Sequence, residues 1–145
     1  MSFPRIRIEV LETGYPLKDL PKDIQTMIRE TVAQTADMAY NEMVASAPMR
    51  TGAYLASIVK GVRGLVAQVG PTVPYWIYVE KGTRPHMIFP VNASVLHFTV
   101  GGQGVFTRYA FHPGTRPNPV VERSWKRALA AVPEIWAKIW ERLKR

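Results

Sequence analysis

The 145-residue chain contains no cysteine, so disulfide staples, thiolate metal sites and thiol catalysis are excluded and the fold must hold through burial alone. Long apolar runs are missing too. The longest, Val73 to Val79, contains Pro74 and falls far short of the roughly 20 residues that cross a bilayer, so no membrane partner is expected. The first ten residues alternate polar and apolar side chains through Arg5, Ile6, Arg7, Ile8 and Glu9, whereas a secretory leader needs an unbroken apolar stretch. The expectation is a protein that stays in the cytoplasm where it is made.

Acidic residues are also scarce, 11 against 19 Lys and Arg, for a formal net charge of +8. That excess favours encounters with DNA, RNA, anionic lipid or acidic protein surfaces without choosing among them. Its densest group is Arg123, Lys126, Arg127, Lys138, Arg142, Lys144 and Arg145, set against Glu122, Glu134 and Glu141. The solvated side of an amphipathic helix accounts for these residues without any partner.

Catalytic constellations are absent. His86, His97 and His112 include no pair at the spacing that sets two imidazoles on one metal from a single helical turn. Ser46, Ser57, Ser94 and Ser124 lie outside any Gly-x-Ser-x-Gly elbow. The glycines Gly101, Gly102 and Gly104 have neither the Gly-Lys-Ser/Thr ending of a phosphate loop nor dinucleotide-site spacing, and read as a hairpin tip. No catalytic residue, metal site or cofactor is expected, and the chain is read as a non-enzyme.

What is present suits a folded α+β protein. With 47% hydrophobic and 21% charged residues, a chain of this length can bury roughly 70% of its unfolded surface, and one domain over residues 1–145 is expected. Arg5 to Leu11 alternates as a strand, and Gly14 and Pro16 end it. Asp19, two residues before Pro21, suits a helix start. Ile24, Ile28, Val32, Thr35, Ala36, Ala39, Met43 and Ala47 recur at helical steps until Pro48. Leu55 to Val62 and Leu65 to Val69 read as a hairpin around Arg63-Gly64. Tyr75 to Glu80 is open between strand and helix, leaning helical, and Lys81 to Asn92 reads as a loop or arm. Val95 to Val100 and Val105 to Phe111 form a second hairpin. Asn118 and Pro119 then open a closing helix with the stripe Val121, Trp125, Leu129, Val132, Trp136, Ile139 and Leu143, broken at Pro133. The sum is an antiparallel sheet of about four to five strands packed against a long helix in the N-terminal half and a C-terminal helix.

One pattern recurs: Gly82-Thr83-Arg84-Pro85-His86 and His112-Pro113-Gly114-Thr115-Arg116-Pro117. Each copy offers a reversal at glycine, a hydroxyl, an exposed guanidinium and a stiff exit at proline. These are either two ordinary turns or two similar loops that present Arg84 and Arg116 to a neighbour's carboxylates. Trp76, Trp125, Trp136 and Trp140 read as core or interface aromatics in preference to base-stacking platforms.

Taken in order, Ala47-Pro48-Met49-Arg50-Thr51-Gly52-Ala53-Tyr54-Leu55-Ala56-Ser57-Ile58, then Tyr75 through Glu80-Lys81-Gly82-Thr83-Arg84-Pro85-His86 with Ile88 and Pro90, then Leu96-His97-Phe98, then His112 through Pro119 resemble the tail-completion or head-tail joining family of lambda-like long-tailed bacteriophages, known as minor tail components. The chain departs from that family at Met49-Arg50, where an acidic residue commonly precedes Thr-Gly, and in its basic C-terminal helix.

The resemblance implies a non-catalytic structural protein of the virion neck, made in the host cytoplasm. It would act as a head-tail connector subunit in a ring of six copies between the portal connector and the tail tube. The partners implied are other copies of the chain, the head-connector protein, the tail tube or tail terminator protein, and DNA passing through the channel. Loops carry contacts, so the interaction candidates are Glu80, Gly82, Thr83, Arg84, His86, Gly101, Gly102, Gly104, His112, Gly114, Thr115 and Arg116. Two other readings stay open: a tail terminator subunit, and a basic nucleic-acid-binding protein.

Overall fold

The helical spacing between Ile24 and Ala47 is realised as one helix, α1 (Lys22–Ser46), in a computed structural model that describes residues 6–9 and 16–144. Its buried positions are Met27, Thr31, Val32, Thr35, Ala36, Ala39 and Met43. At 3.6 residues per turn these spread over about half of the helix circumference, wider than the stripe of roughly 100° that a single neighbour requires. The helix is accordingly covered on two sides. It packs on the strands β2 (Ile58–Arg63) and β3 (Val66–Pro71), and on the helices α4 (Val120–Ala130) and α5 (Val132–Leu143).

Two threonines tolerate this burial because their hydroxyls stay bonded. Thr31 Oγ1 donates to the Met27 carbonyl at 2.8 Å and Thr35 Oγ1 to the Thr31 carbonyl at 2.7 Å, which avoids the cost of about 1–3 kcal/mol for a buried unpaired hydroxyl. The helix stops at Ser46 because Pro48 disfavours helical backbone in the residue before it. Asp19 does not cap it: Asp19 closes a 3-10 turn, Leu17–Asp19, and Pro21 holds the position just ahead of α1.

β1 (Ile6–Glu9) pairs antiparallel with β3, and β3 with β2, in the order β1-β3-β2. The rest of the expected first strand, Arg5 and Val10 to Leu11, lies outside the described residues, as does Gly14. The β2–β3 hairpin turns at Gly64, with φ of 59°, as its sequence predicts. The segment before it differs from expectation. Ala53–Ala56 forms a helical turn, α2, because Ala56 N–H bonds the Gly52 carbonyl at 2.9 Å and Ser57 N–H the Ala53 carbonyl at 3.1 Å, so the strand starts only at Ile58. Tyr75 to Glu80 resolves to a helix, α3 (Trp76–Lys81).

The second hairpin is shorter than expected and has a neighbour. β5 (Leu96–Val100) pairs with β6 (Gln103–Thr107), while β7 (Ala110–His112) leaves it to pair with β4 (His86–Ile88). That last strand sits inside the stretch read as a loop. Pro85 and Pro90 confine it to three residues, too few for alternation to register.

The closing helix breaks as Pro133 demands: α4 ends at Ala130 and α5 begins at Val132 with the proline in its first turn. Pro119 rather than Asn118 stands immediately ahead of α4. The buried side of α4, Val120, Ser124 and Ala128, is one residue off the expected stripe, whereas on α5 the buried residue is Ile139, as expected. Small residues let α4 lie close to α1. The bulky Trp125 is left half-buried, and Trp136, Trp140 and Leu129 are exposed by more than a third, so Trp136 is not a core residue.

The fold is α+β, with its strands shared among a three-stranded sheet and two two-stranded ribbons. Two compact units result, one of residues up to 76 and from 119 onward, the other of residues 77–118. Every buried residue among those described belongs to the first unit.

Ion pairs join α1 to each element type that covers it: Asp37 with Lys60 of β2, Glu42 with Arg127 of α4 at 2.5 Å, and Glu30 with Arg142 of α5. Exposed pairs of this kind contribute about 0–1 kcal/mol each, so they orient more than they stabilise. Within α4, Lys126 lies 2.6 Å from Glu122 and holds that carboxyl below its ordinary range through a hydrogen bond and its positive charge. Met43→Ala, at a fully buried position, is expected to cost about 2–5 kcal/mol. Asp37→Asn is expected to cost less than about 1 kcal/mol. Denaturant titration of the two variants measures both.

Candidate functional site

The duplicated Gly-Thr-Arg-Pro turns are bonded to one another. Thr83 N–H donates to the Thr115 carbonyl and Thr115 N–H to the Thr83 carbonyl, both at 3.1 Å, an antiparallel bridge between the two copies. Thr115 N–H also approaches Thr83 Oγ1 at 3.0 Å, and the two hydroxyl oxygens lie 3.2 Å apart. Each turn thus satisfies the other, with a local near-twofold relation that the repeated sequence makes possible.

The glycines explain why the residue ahead of each threonine is not replaceable. Gly82 has φ of 68° and Gly114 of 86°, a region that side chains with a Cβ rarely occupy. A Cβ on Gly82 would stand 2.3 Å from the Thr115 carbonyl oxygen, and one on Gly114 would stand 2.3 Å from the Thr83 carbonyl oxygen. The two close approaches mirror each other across the bridge.

The histidines extend the pairing. His86 and His112 are directly opposite in the β4–β7 ladder, and their rings stack with centroids 5.1 Å apart and planes 28° apart. His86 Nδ1 lies 2.8 Å from the Arg84 carbonyl, which only accepts, so that nitrogen carries the proton. His112 Nδ1 accepts from Gly114 N–H at 3.0 Å, so that nitrogen is unprotonated. Both rings are tied to turn backbone. Among the described residues no group of three or more His, Asp or Glu is arranged to hold a metal.

Arg84 and Arg116 project from this clip and are exposed. A shallow depression of about 550 Å³ beside it is lined by Tyr78, Gly82, Thr83, Arg84 and His86. Glu80 lies on α3 and is half-buried; in the same unit the Val79 carbonyl accepts from Asn118 N–H at 2.8 Å. Gly101 and Gly102, with φ of 58° and 86°, form the two-residue turn of the β5–β6 hairpin, between the paired Val100 and Gln103. Gly104 makes room for His97, since a Cβ there would meet His97 Nε2 at 3.1 Å, and His97 stacks on Phe106 at 4.4 Å. Sequence reasoning singled out all of these residues but missed Phe106 and the bonding between the turns. The equal order of residues in the two copies was the available signal, because antiparallel partners with matching needs favour matching residues.

The basic C-terminal residues are largely occupied. Arg127 and Arg142 pair with α1, and Lys126 and Lys144 pair with Glu122 and Glu141 on their own helices.

Residues 16–82 match the family described as "Bacteriophage HK97-gp10, putative tail-component". The similarity supports a bacteriophage tail-component family. The matched stretch runs from just before α1 to Gly82, so α1, the β2–β3 hairpin and α3 fall within it while the ribbons and closing helices do not. The matched stretch is what the chain shares with proteins described as tail components. No curated protein and no solved structure matches the chain.

Gly82→Ala and Gly114→Ala are expected to open the clip, each costing its unit more than about 1 kcal/mol. Gly52→Ala has a similar φ of 71° but nothing within 4 Å of the new Cβ, and so reports the backbone term alone. Amide hydrogen exchange at Thr83 and Thr115 should accelerate in the first two variants and stay unchanged in the third.

Proposed function

We propose that the chain is a neck subunit of a long-tailed bacteriophage, a tail-completion or head-tail connector protein that assembles as a ring of six between the head connector and the tail tube. The observation that carries the reading is the match of residues 16–82 to phage tail components. The clip adds to it: Thr83 and Thr115 lock two turns so that Arg84 and Arg116 stand outward on stiff backbone, a form suited to bidentate contact with carboxylates of a neighbouring protein. All 145 residues serve this one assembly role, and no bond is made or broken in it.

The C-terminal bases do not favour a dedicated DNA binder, since four of them already face carboxylates. DNA in such a neck passes through the channel without being read.

Particles assembled without the chain should contain filled heads and finished tails that fail to unite under the electron microscope. Overlong tails in place of separated parts would assign the chain to tail termination instead. Arg84→Glu with Arg116→Glu should lower the yield of joined particles at least tenfold, on the scale of a lost charge pair at an interface, while thermal unfolding of the purified chain stays where it was.

A further inference from the structure

Between Arg84 and Arg108 the chain carries no Asp, Glu, Lys or Arg, a gap of 23 residues in a protein that is 21% charged. Soluble surfaces are normally dense in charge, and a charge-free stretch of this length ordinarily marks a core. Here it marks a surface. No described residue from 85 to 107 is buried, and Val91 is 93%, Phe106 69% and Phe89 61% exposed. The β5–β6 ribbon also shows two open edges with no lysine or proline to blunt them, and a two-stranded ribbon left bare in water is marginal on its own.

Alternation sorts the ribbon into two faces. Phe98 and Val100 share one face with Val105, and Phe106 shares the other with His97. The first face is mostly apolar, and on the second Phe106 stands exposed beside His97 and Thr99, so a layer covering one face leaves an apolar side chain of the other in water. Phe89, Phe98 and Phe106 alone expose roughly 350 Å² if a full aromatic side chain is taken as about 200 Å², nearly half of the ~800 Å² each partner contributes to a standard interface.

We infer that residues 85–107 form the surface through which one copy of this chain meets another, with the β5–β6 ribbon inserted against the neighbouring copy and Val100 and Phe106 as its anchors. The identity of the partner follows from charge. Each copy carries a net +8, so two copies repel over most of their surfaces, and contact costs least where neither presents a charge. An acidic partner would instead be met by basic residues, which this stretch omits. The inference rests on the reading of the chain as a self-assembling structural subunit and names the surface that does the assembling.

Val100→Lys and Phe106→Lys in the full chain test it. Analytical ultracentrifugation of the native protein should show reversible association, and each variant should weaken it by tenfold or more, a loss of about 1.4 kcal/mol. Val100 is exposed, so the melting temperature of Val100→Lys should not fall, whereas Phe106→Lys also gives up the stack on His97; the first variant separates lost contact from lost fold. Because the chain has no cysteine, Phe106→Cys supplies a unique thiol, and a maleimide carrying a photoreactive group on it should couple one copy to the next, whereas the same label on Thr26→Cys, on the exposed side of α1, should not couple. Association unchanged in both lysine variants, or a native chain that remains monomeric at every concentration, overturns the inference. Neither result touches the neck reading, which falls only if particles made without the chain are joined and infectious.

Discussion

A helix buried over half its circumference has to be covered twice, and that requirement organises the first unit. α1 supplies the core to the sheet on one side and to the closing helices on the other, so segments more than 50 residues apart in sequence meet on it. The carboxylates at Glu30, Asp37 and Glu42 repeat this division electrostatically, each reaching a base on a different covering element. Their small individual contributions matter less than their arrangement, which ties α1 to each element that covers it.

How much of this the amino-acid pattern revealed depends on the length of each element. α1 was legible because it repeats its spacing through many turns, and the α4–α5 break because proline admits few alternatives. The hairpin at Gly64 was legible from its turn. Strands of three residues were not: β4 and β7 contain too few positions to establish a period, and their pairing joins residues 86 and 112 across a stretch with its own hairpin. The buried side of α4 was misread because Val121, Trp125 and Leu129 outweigh Val120, Ser124 and Ala128 in hydrophobicity. Closeness between helix axes selected the smaller set.

The candidate site was legible in its residues and obscure in its geometry. Gly82, Thr83, Gly114 and Thr115 stood out through repetition, yet repetition alone was compatible with two separate loops. Only the reciprocal hydrogen bonds and the mirrored carbonyl contacts identify one clip. The loop glycines differ in kind as well. Gly101 and Gly102 have open space around them, whereas Gly82 and Gly114 are held by contact.

The Thr83–Thr115 bridge gives the intervening ribbons a fixed root. Since departure and return of the backbone are fastened side by side, residues may be added to or removed from the hairpins without moving the points where they rejoin the chain, and loop-closure entropy changes only slowly with such length. The length of this excursion can therefore change while the two turns that fasten its ends stay bonded as they are.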